Sequence, residues 1–247
     1  MNQSTEEAFL ARYDASGYER PSVAVDVALL SIREGSVWTL LVRRNEHPAK
    51  GAWALPGVLV GIDEPLDAAA GRALRTKADL SDVFIEQLFT FGDPDRDPRT
   101  RVIAVAYYAL VEPTALERSA AGPTARLVRL SVPWPGETGG PIDALDDDGG
   151  RLTLAFDHAD ILGMAVKRVR GKLDYAPIGF ELLPNRFSLR DLRLVHEAIL
   201  GRRLNKDSFR RRILDRGLVV PTGQRATAVG HRPPELYRFA DRRTRSR

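Results

Sequence analysis

Cysteine is absent from this chain of 247 residues. Disulfide frameworks and thiolate-held metal sites are therefore excluded. No run of about 18 apolar residues occurs, so no helix is expected to span a membrane. The amino-terminal MNQSTEEAFLARYDASGYERP also lacks the basic region followed by an apolar stretch that marks a secretory leader. A cytoplasmic protein without a membrane partner is expected. Histidine is scarce, and His47 and His158 show no metal-ligand spacing, so no metal site is expected. Internal repeats and long low-complexity segments are missing too.

Apolar content of 43% is ordinary for a globular protein and supplies a buried core. The net charge of +4 conceals an asymmetry: Glu181 to Arg247 carries 17 Lys plus Arg against 7 Asp plus Glu, a net +10, which leaves −6 for residues 1–180. An acidic part joined to a compact basic part suggests a polyanion-binding module at the carboxyl end. Two domains are expected, 1–175 and 176–247, with the boundary near Ala176 to Pro184.

Thr5 to Tyr13 reads as a short helix. Ser22 to Ile32 and Val37 to Arg43 read as strands joined by a tight turn at Glu34-Gly35. Pro65 suits a first helical position, and Leu66, Ala69, Ala70, Ala73 and Leu74 outline the inward side of the helix it opens. Phe84 to Phe91, Arg101 to Val111 and Ala125 to Val132 are strands, with a turn-rich loop from Gly92 to Thr100. Pro133 to Gly150 reads as loop, and its Asp146 to Asp148 run as an exposed acidic turn. Asp157 to Leu173 is a helix with Leu162, Val166, Val169 and Leu173 on one face, and with Lys167, Arg168, Arg170 and Lys172 expected on a solvated one.

The carboxyl-terminal part has its own grammar. Ser188 and Asp191 suit a capping box, Leu189, Leu192, Val195 and Ile199 recur at helical spacing, and Gly201 closes the segment. Asn205 caps a second helix whose Phe209, Ile213 and Leu214 pack inward while Lys206, Ser208, Arg210, Arg211 and Arg212 stay outside. Gly217 to Pro221 and Leu236 to Phe239 pair as a wing with Thr222, Gln224 and Arg225 at its loop. The pattern is a winged helix-turn-helix, in which arginines of the second helix read base edges and others grip phosphate. Arg202, Arg203, Arg242, Arg243, Arg245 and Arg247 suit the second task. A helical hairpin used for dimerisation is the competing arrangement, and RNA binding ranks last because interleaved surface aromatics are lacking.

Residues 53–80 read WALPGVLVGIDEPLDAAAGRALRTKADL. Counted from Glu64, Arg72 follows after seven intervening residues, with Leu74 and Leu80 at aliphatic positions. This frame resembles a Nudix box that has lost its chemistry. The family's glycine is Val58, its glutamate after the arginine is Ala73, its Glu-Glu pair is Thr76 and Lys77, and its closing glycine is Asp79. Water attacks a diphosphate when divalent cations neutralise the developing charge, and such cations need carboxylate oxygens. Ala, Thr and Lys supply none, so only Asp63, Glu64 and Asp67 remain. No catalytic residue is assigned, and the resemblance makes Glu64 and Arg72 a structural ion pair.

A degenerate box joined to a winged helix resembles the Nudix-related transcriptional regulators. WALPG at 53–57, EQLFTFGDPDRDPRTRVIAVAY at 86–107, LAFDHADIL at 154–162, and DSFRRRIL with VVPTG at 207–223 carry that likeness. It implies an α+β fold, a Nudix-type α/β/α sandwich with a mixed sheet followed by a small winged helix-turn-helix domain. It further implies a homodimer on a palindromic double-stranded operator, repressing genes of NAD synthesis or related metabolism. The effector would be ADP-ribose or a related nucleotide, and no cofactor would be held. Arg43 and Arg44 are the candidates for its phosphates, since guanidinium offers paired donors, and Trp53 or Phe91 for stacking, with Asp97, Arg99 and Arg101 as second choices. The competing function is an active hydrolase of ADP-ribose or a dinucleotide using Mg²⁺ or Mn²⁺.

Overall fold

The computed structural model describes residues 3–120, 122, 124–226 and 233–240. The chain runs α1 (Gln3–Leu10), β1 (Ser22–Arg33), β2 (Ser36–Arg43), β3 (Trp53–Ala54), β4 (Gly57–Leu59), α2 (Leu66–Ala78), β5 (Phe84–Phe91) and β6 (Val102–Leu110). It continues through α3 (Pro113–Ser119), β7 (Ala125–Ser131), β8 (Asp143–Leu145) and α4 (His158–Lys172). After a 3-10 turn at Pro177–Leu182 come α5 (Leu189–Leu200), α6 (Lys206–Asp215), β9 (Val219–Arg225) and β10 (Glu235–Phe239). No helix among the described residues is long and apolar enough to cross a membrane.

The main sheet is mixed, in the order β5-β6-β1-β2-β7-β8, with β1 and β6 parallel and the other neighbours antiparallel. Strand alternation sends successive side chains to opposite faces. Val25, Val27 and Leu29 of β1 pack with α2 and Leu116 of α3, while Ala28, Leu30 and Ile32 pack with α4. Helices thus cover both faces, and the fold is the expected α/β/α sandwich. Glu34 and Gly35 both take positive φ, 51° and 72°, the geometry of a two-residue hairpin turn that matches strand twist.

β1 changes partner along its length. Leu30–Arg33 pair with β2, whereas Ala24–Asp26 pair with β4. A hollow lined by Asp26, Leu55, Gly57 and Val58 lies beside this change of partner. Asp26 is on the same face as Ala28 and Leu30.

Several expectations need adjusting. Pro65 is the extended residue before α2, at ψ 148°, one position outside the helix. The loop expected over 133–150 contains β8, which pairs with β7. The basic face expected on α4 is not simply solvated. Arg170 is 6% exposed, Lys172 and Arg168 reach Glu86 on β5 at 2.6 and 3.4 Å, and the Lys167 ammonium meets the Thr138 carbonyl. A helix lying on a sheet must turn its flanks toward strands and loops as well as water, and four positions spread over six residues cannot all avoid them.

The carboxyl-terminal module shares its core with the sandwich. Ile178, Phe180 and Leu182 of the 3-10 turn are buried, and Leu192, Val195 and Ile199 of α5 join the same cluster of buried side chains as α4. Burial of each such side chain contributes about 1.5–3 kcal/mol. The capping box forms as expected: Ser188 Oγ accepts from the Asp191 amide, and the Asp191 carboxylate accepts from the Ser188 amide at 2.9 Å. Gly201 ends α5 in the left-handed region, φ 66°. Phe187 pairs with Tyr237 through two backbone hydrogen bonds and adds a short third element to the β9–β10 ribbon. Helix, turn, helix and ribbon then follow in winged-helix order.

Candidate ligand cleft and nucleic-acid interface

The box before and along α2 is held by its ion pair. Arg72 Nε donates to Glu64 Oε1 at 2.7 Å and Nη2 to Oε2 at 2.6 Å, while Nη2 also reaches the Leu59 carbonyl. The Gly61 amide donates to the same carboxylate at 3.0 Å. Arg72, then Gly61, pull the Glu64 pKa down to about 2. Both carboxylate oxygens are therefore committed to the scaffold. The neighbouring positions do not suit a divalent cation either: Ala73 is fully buried among apolar side chains, Thr76 donates its hydroxyl to the Arg72 carbonyl, and Lys77 is an exposed cation. Asp67 accepts the Tyr107 hydroxyl at 2.7 Å. Among the described residues no group of three or more His, Asp or Glu converges on a point.

The cleft beside β1 is built around Arg96, whose side chain is 4% exposed. Its guanidinium grips Asp157 in two-pronged fashion at 2.9 and 2.7 Å and lies 3.5 Å from Asp26. A buried guanidinium is tolerated when its donors find carboxylates in this way. His158, the first residue of α4, accepts the Leu55 amide on Nδ1 at 2.9 Å. That bond places its proton on Nε2, 3.8 Å from Asp26. Burial lowers the His158 pKa, so the ring is neutral here.

Two hollows meet at Arg96 and Phe156. The smaller, about 190 Å³, is lined by Asp26, Arg44, Asp97, Arg99 and His158 among others. The larger, about 740 Å³, is lined by Phe91, Asp160, Met164, Lys167 and the Thr138–Gly140 segment. Arg44 lies over the Phe156 ring at 4.8 Å and uses Nε on the Pro48 carbonyl at 2.9 Å. Its terminal nitrogens form no ion pair among the described residues, in contrast to Arg99, which is clasped by Asp97 at 3.0 and 2.8 Å. That clasp, foremost, holds the Asp97 carboxyl below its usual range.

Of the residues expected at the ligand, Arg44, Asp97 and Arg99 line the smaller hollow and Phe91 the larger. Three lie elsewhere. Arg43 is exposed at the end of β2. Trp53 faces it in β3 and packs against the core, because the strand pairing that orders this turn also buries one side of the indole. Arg101 is exposed and beside Gly92. Sequence reasoning missed Asp26, Arg96, Phe156, Asp157 and His158 as a group. A lone Asp inside the apolar run SVAVDVALLSI was the available signal for the first of them.

In the winged helix, Asn205 Oδ1 caps α6 by accepting the Asp207 and Ser208 amides. Phe209 and Ile213 are buried. Helical spacing puts Arg211 opposite that pair, with Lys206, Ser208 and Arg210 also exposed. Lys206 and Arg210 border a groove of about 490 Å³ together with Arg190, Arg193 and Tyr237. Glu197, buried beneath the turn, accepts the Leu204 amide at 2.7 Å and pairs with Arg193, which fixes the angle between the helices.

Arg212 is exposed as expected, lying over the Phe209 ring at 5.6 Å and 3.7 Å from the exposed Asp174. Two expectations are corrected. Leu214 is expected inside and is 37% exposed, since α6 ends too soon after it to be covered. Thr222, Gln224 and Arg225 belong to β9 rather than to a loop, and Thr222 spends its hydroxyl on the Leu236 carbonyl at 2.8 Å. Arg242, Arg243, Arg245 and Arg247 lie outside the described residues.

Comparison with known proteins gives a consistent result. Residues 179–239 match the model of the NrtR DNA-binding winged helix domain. The ADPR responsive transcriptional repressor NtrR of Acinetobacter baylyi is 36% identical over 243 residues, covering 97% of this chain and 90% of that protein. The crystal structure of Shewanella oneidensis NrtR complexed with a 27mer DNA superposes with a TM-score of 0.73 at 31% identity, over 88% of this chain and 93% of that one. A MutT/nudix family protein from Enterococcus faecalis gives a TM-score of 0.78 at 25% identity, over 97% and 94%.

Proposed function

The chain belongs to the NrtR family of transcriptional regulators, and on that premise we propose that it is a DNA-binding repressor whose Nudix-type domain senses ADP-ribose or a closely related nucleotide. One observation carries the reading. The Glu64–Arg72 clasp that shapes the box is intact, while Ala73, Thr76 and Lys77 stand where carboxylates would hold a cation. The scaffold is retained without the means to activate water, so the domain binds and does not hydrolyse.

The cleft supports such a ligand chemically. Arg44 offers unpaired guanidinium donors to phosphate oxygens, Arg99 adds a second cation at the rim, and Phe91 and Phe156 offer ring faces. Arg96 with Asp26 and Asp157 shapes the junction between the hollows. At the other end, Lys206, Ser208, Arg210 and Arg211 on α6 form the reading surface, and Arg225 on β9 adds a phosphate contact. Residues 1–175 act as the sensing and dimerising part, 176–247 as the reader. A two-fold dimer would set two α6 helices on a palindromic operator with half-sites one or two helical turns apart. The family resemblance points to genes of NAD synthesis or related metabolism as its targets.

The deciding experiment titrates ADP-ribose, NAD and sugar phosphates against the purified protein on DNA fragments carrying its own promoter. ADP-ribose is expected to change DNA affinity, and incubation with Mg²⁺ or Mn²⁺ to yield no AMP or ribose phosphate. Robust turnover would overturn the sensor assignment in favour of a working hydrolase.

A further inference from the structure

α4 begins at the ligand cleft and ends beside the helix-turn-helix. Asp157, immediately before it, binds Arg96, and Asp160, Met164 and Lys167 line the larger hollow. Its last turn carries Arg170, a buried guanidinium that meets no carboxylate among the described residues. Arg170 Nε donates to the Ile199 carbonyl at 2.7 Å, and Nη1 donates to the carbonyls of Gly136 at 2.8 Å and Trp134 at 3.2 Å. The guanidinium also lies over the Trp134 ring at 4.7 Å.

These acceptors explain how the charge is tolerated. Ile199 is in the last turn of α5, whose carbonyls have no helical donor and form the negative end of the helix dipole. Arg170 therefore caps α5 from another helix, next to Gly201, which opens the turn into α6. An added Cβ on Gly201 would approach Arg170 Nη2 to 3.3 Å, so the turn itself is in contact with the arginine.

The other two acceptors belong to a strap, residues 134–140, whose far end lines the larger hollow through Thr138, Gly139 and Gly140. Trp134 Nε1 donates to the Gly140 carbonyl at 3.1 Å, which closes the strap on itself. Its seat on α4 is tight: a Cβ on Gly163 would overlap the Gly140 carbonyl oxygen. A ligand that displaces Thr138–Gly140 must therefore move Trp134 and Gly136 as well, and with them the group that caps α5.

We propose that the 134–140 strap and Arg170 form the mechanical link by which occupancy of the larger hollow alters the end of α5 and the turn into α6, and so DNA affinity. This rests on the nucleotide-responsive regulator described above. Arg170 is a positioning residue that touches neither effector nor DNA. Coupling of this kind requires only that the ligand favour one of two arrangements of the strap.

The test measures binding of a labelled promoter duplex by fluorescence anisotropy with and without saturating ADP-ribose, and ADP-ribose binding by calorimetry. It uses the full chain, Arg170→Lys, Arg170→Met and Gly163→Ala. Wild type should show a change in DNA affinity of about tenfold, within the range usual for coupled sites. Arg170→Met should bind ADP-ribose within about threefold of wild type while its effector response falls below about twofold, a ratio that a merely structural loss does not move selectively. Arg170→Lys retains the charge without the fork and should respond only in part. Gly163→Ala should likewise uncouple the sites with Arg170 intact, and it carries the test if Arg170→Met fails to fold. Variants that bind both partners and keep the full wild-type response overturn the link. A wild type whose DNA affinity ignores ADP-ribose overturns the regulator reading itself.

Discussion

Arginine is used in opposite ways at the two ends of this molecule. In the cleft, Arg96 is enclosed and paired with Asp157 and Asp26. On α6, Arg211 projects into solvent, and Arg210 is exposed beside the Tyr237 hydroxyl. A buried guanidinium has its donors consumed and contributes shape. An exposed one keeps its donors and contributes affinity for whatever anion arrives. Net charge distinguishes the two halves of the chain, but pairing distinguishes the two kinds of arginine.

That contrast is broken most severely at the reader. Replacing both Arg210 and Arg211 with Ala should cost about 4 kcal/mol of specific binding, roughly a thousandfold, if each reads a base edge. The melting temperature should stay near wild type. Gel shifts on the promoter fragment and on unrelated DNA separate this from a general loss of charge, and unchanged operator affinity would remove α6 as the reading helix. The converse holds at the sensor: Arg96→Met should lower stability by about 3 kcal/mol by stranding two enclosed carboxylates. Thermal unfolding reads that loss, and a variant as stable as wild type would show that Arg96 does not organise the cleft.

A third measurement sharpens the difference within the reader itself. His196 is buried on α5 against the Phe209 ring, and burial first, then Arg212, depress its pKa to about 4. A folded-state value below the ordinary 6.5 means that the unfolded chain takes up the proton first. Stability is therefore full above about pH 6.5 and declines as pH falls toward 4, by up to about 3 kcal/mol. His196→Leu should flatten this dependence in urea midpoints taken between pH 7 and 4.5, and a slope identical to wild type would assign the acid sensitivity elsewhere. The smallest effect is expected at Arg225. Its replacement by Ala should weaken all DNA sequences alike by a few fold and reduce the salt slope by about one.

Local features were legible wherever a single residue does a local job. Ser188 with Asp191, Asn205, Gly201 and Glu34-Gly35 act on neighbours within a few positions, and their structures follow the sequence pattern. The Glu64–Arg72 pair, which joins the loop before α2 to the helix, was implied by the likeness to the Nudix box. Short pieces were not legible: β3, β4 and β8 are two or three residues long and exist only because β2, β1 and β7 offer them open edges. The candidate cleft is partly legible: Arg44, Asp97, Arg99 and Phe91 line its two hollows, whereas nothing in DPDRDPRT says that Arg96 is the arginine that folds inward.

From the sequence alone came the charge asymmetry and the basic second helix, because composition and periodicity are properties of the chain before it folds, while the missing carboxylates came from the likeness to the Nudix box. Tertiary structure decided which cations are free. Arg170 and Arg168 look as solvated as Arg211 when read along the helix, yet carbonyls and a carboxylate 29 to 82 positions away hold them. The partner that neutralises a charge comes from another element, and only the packed fold brings it within reach.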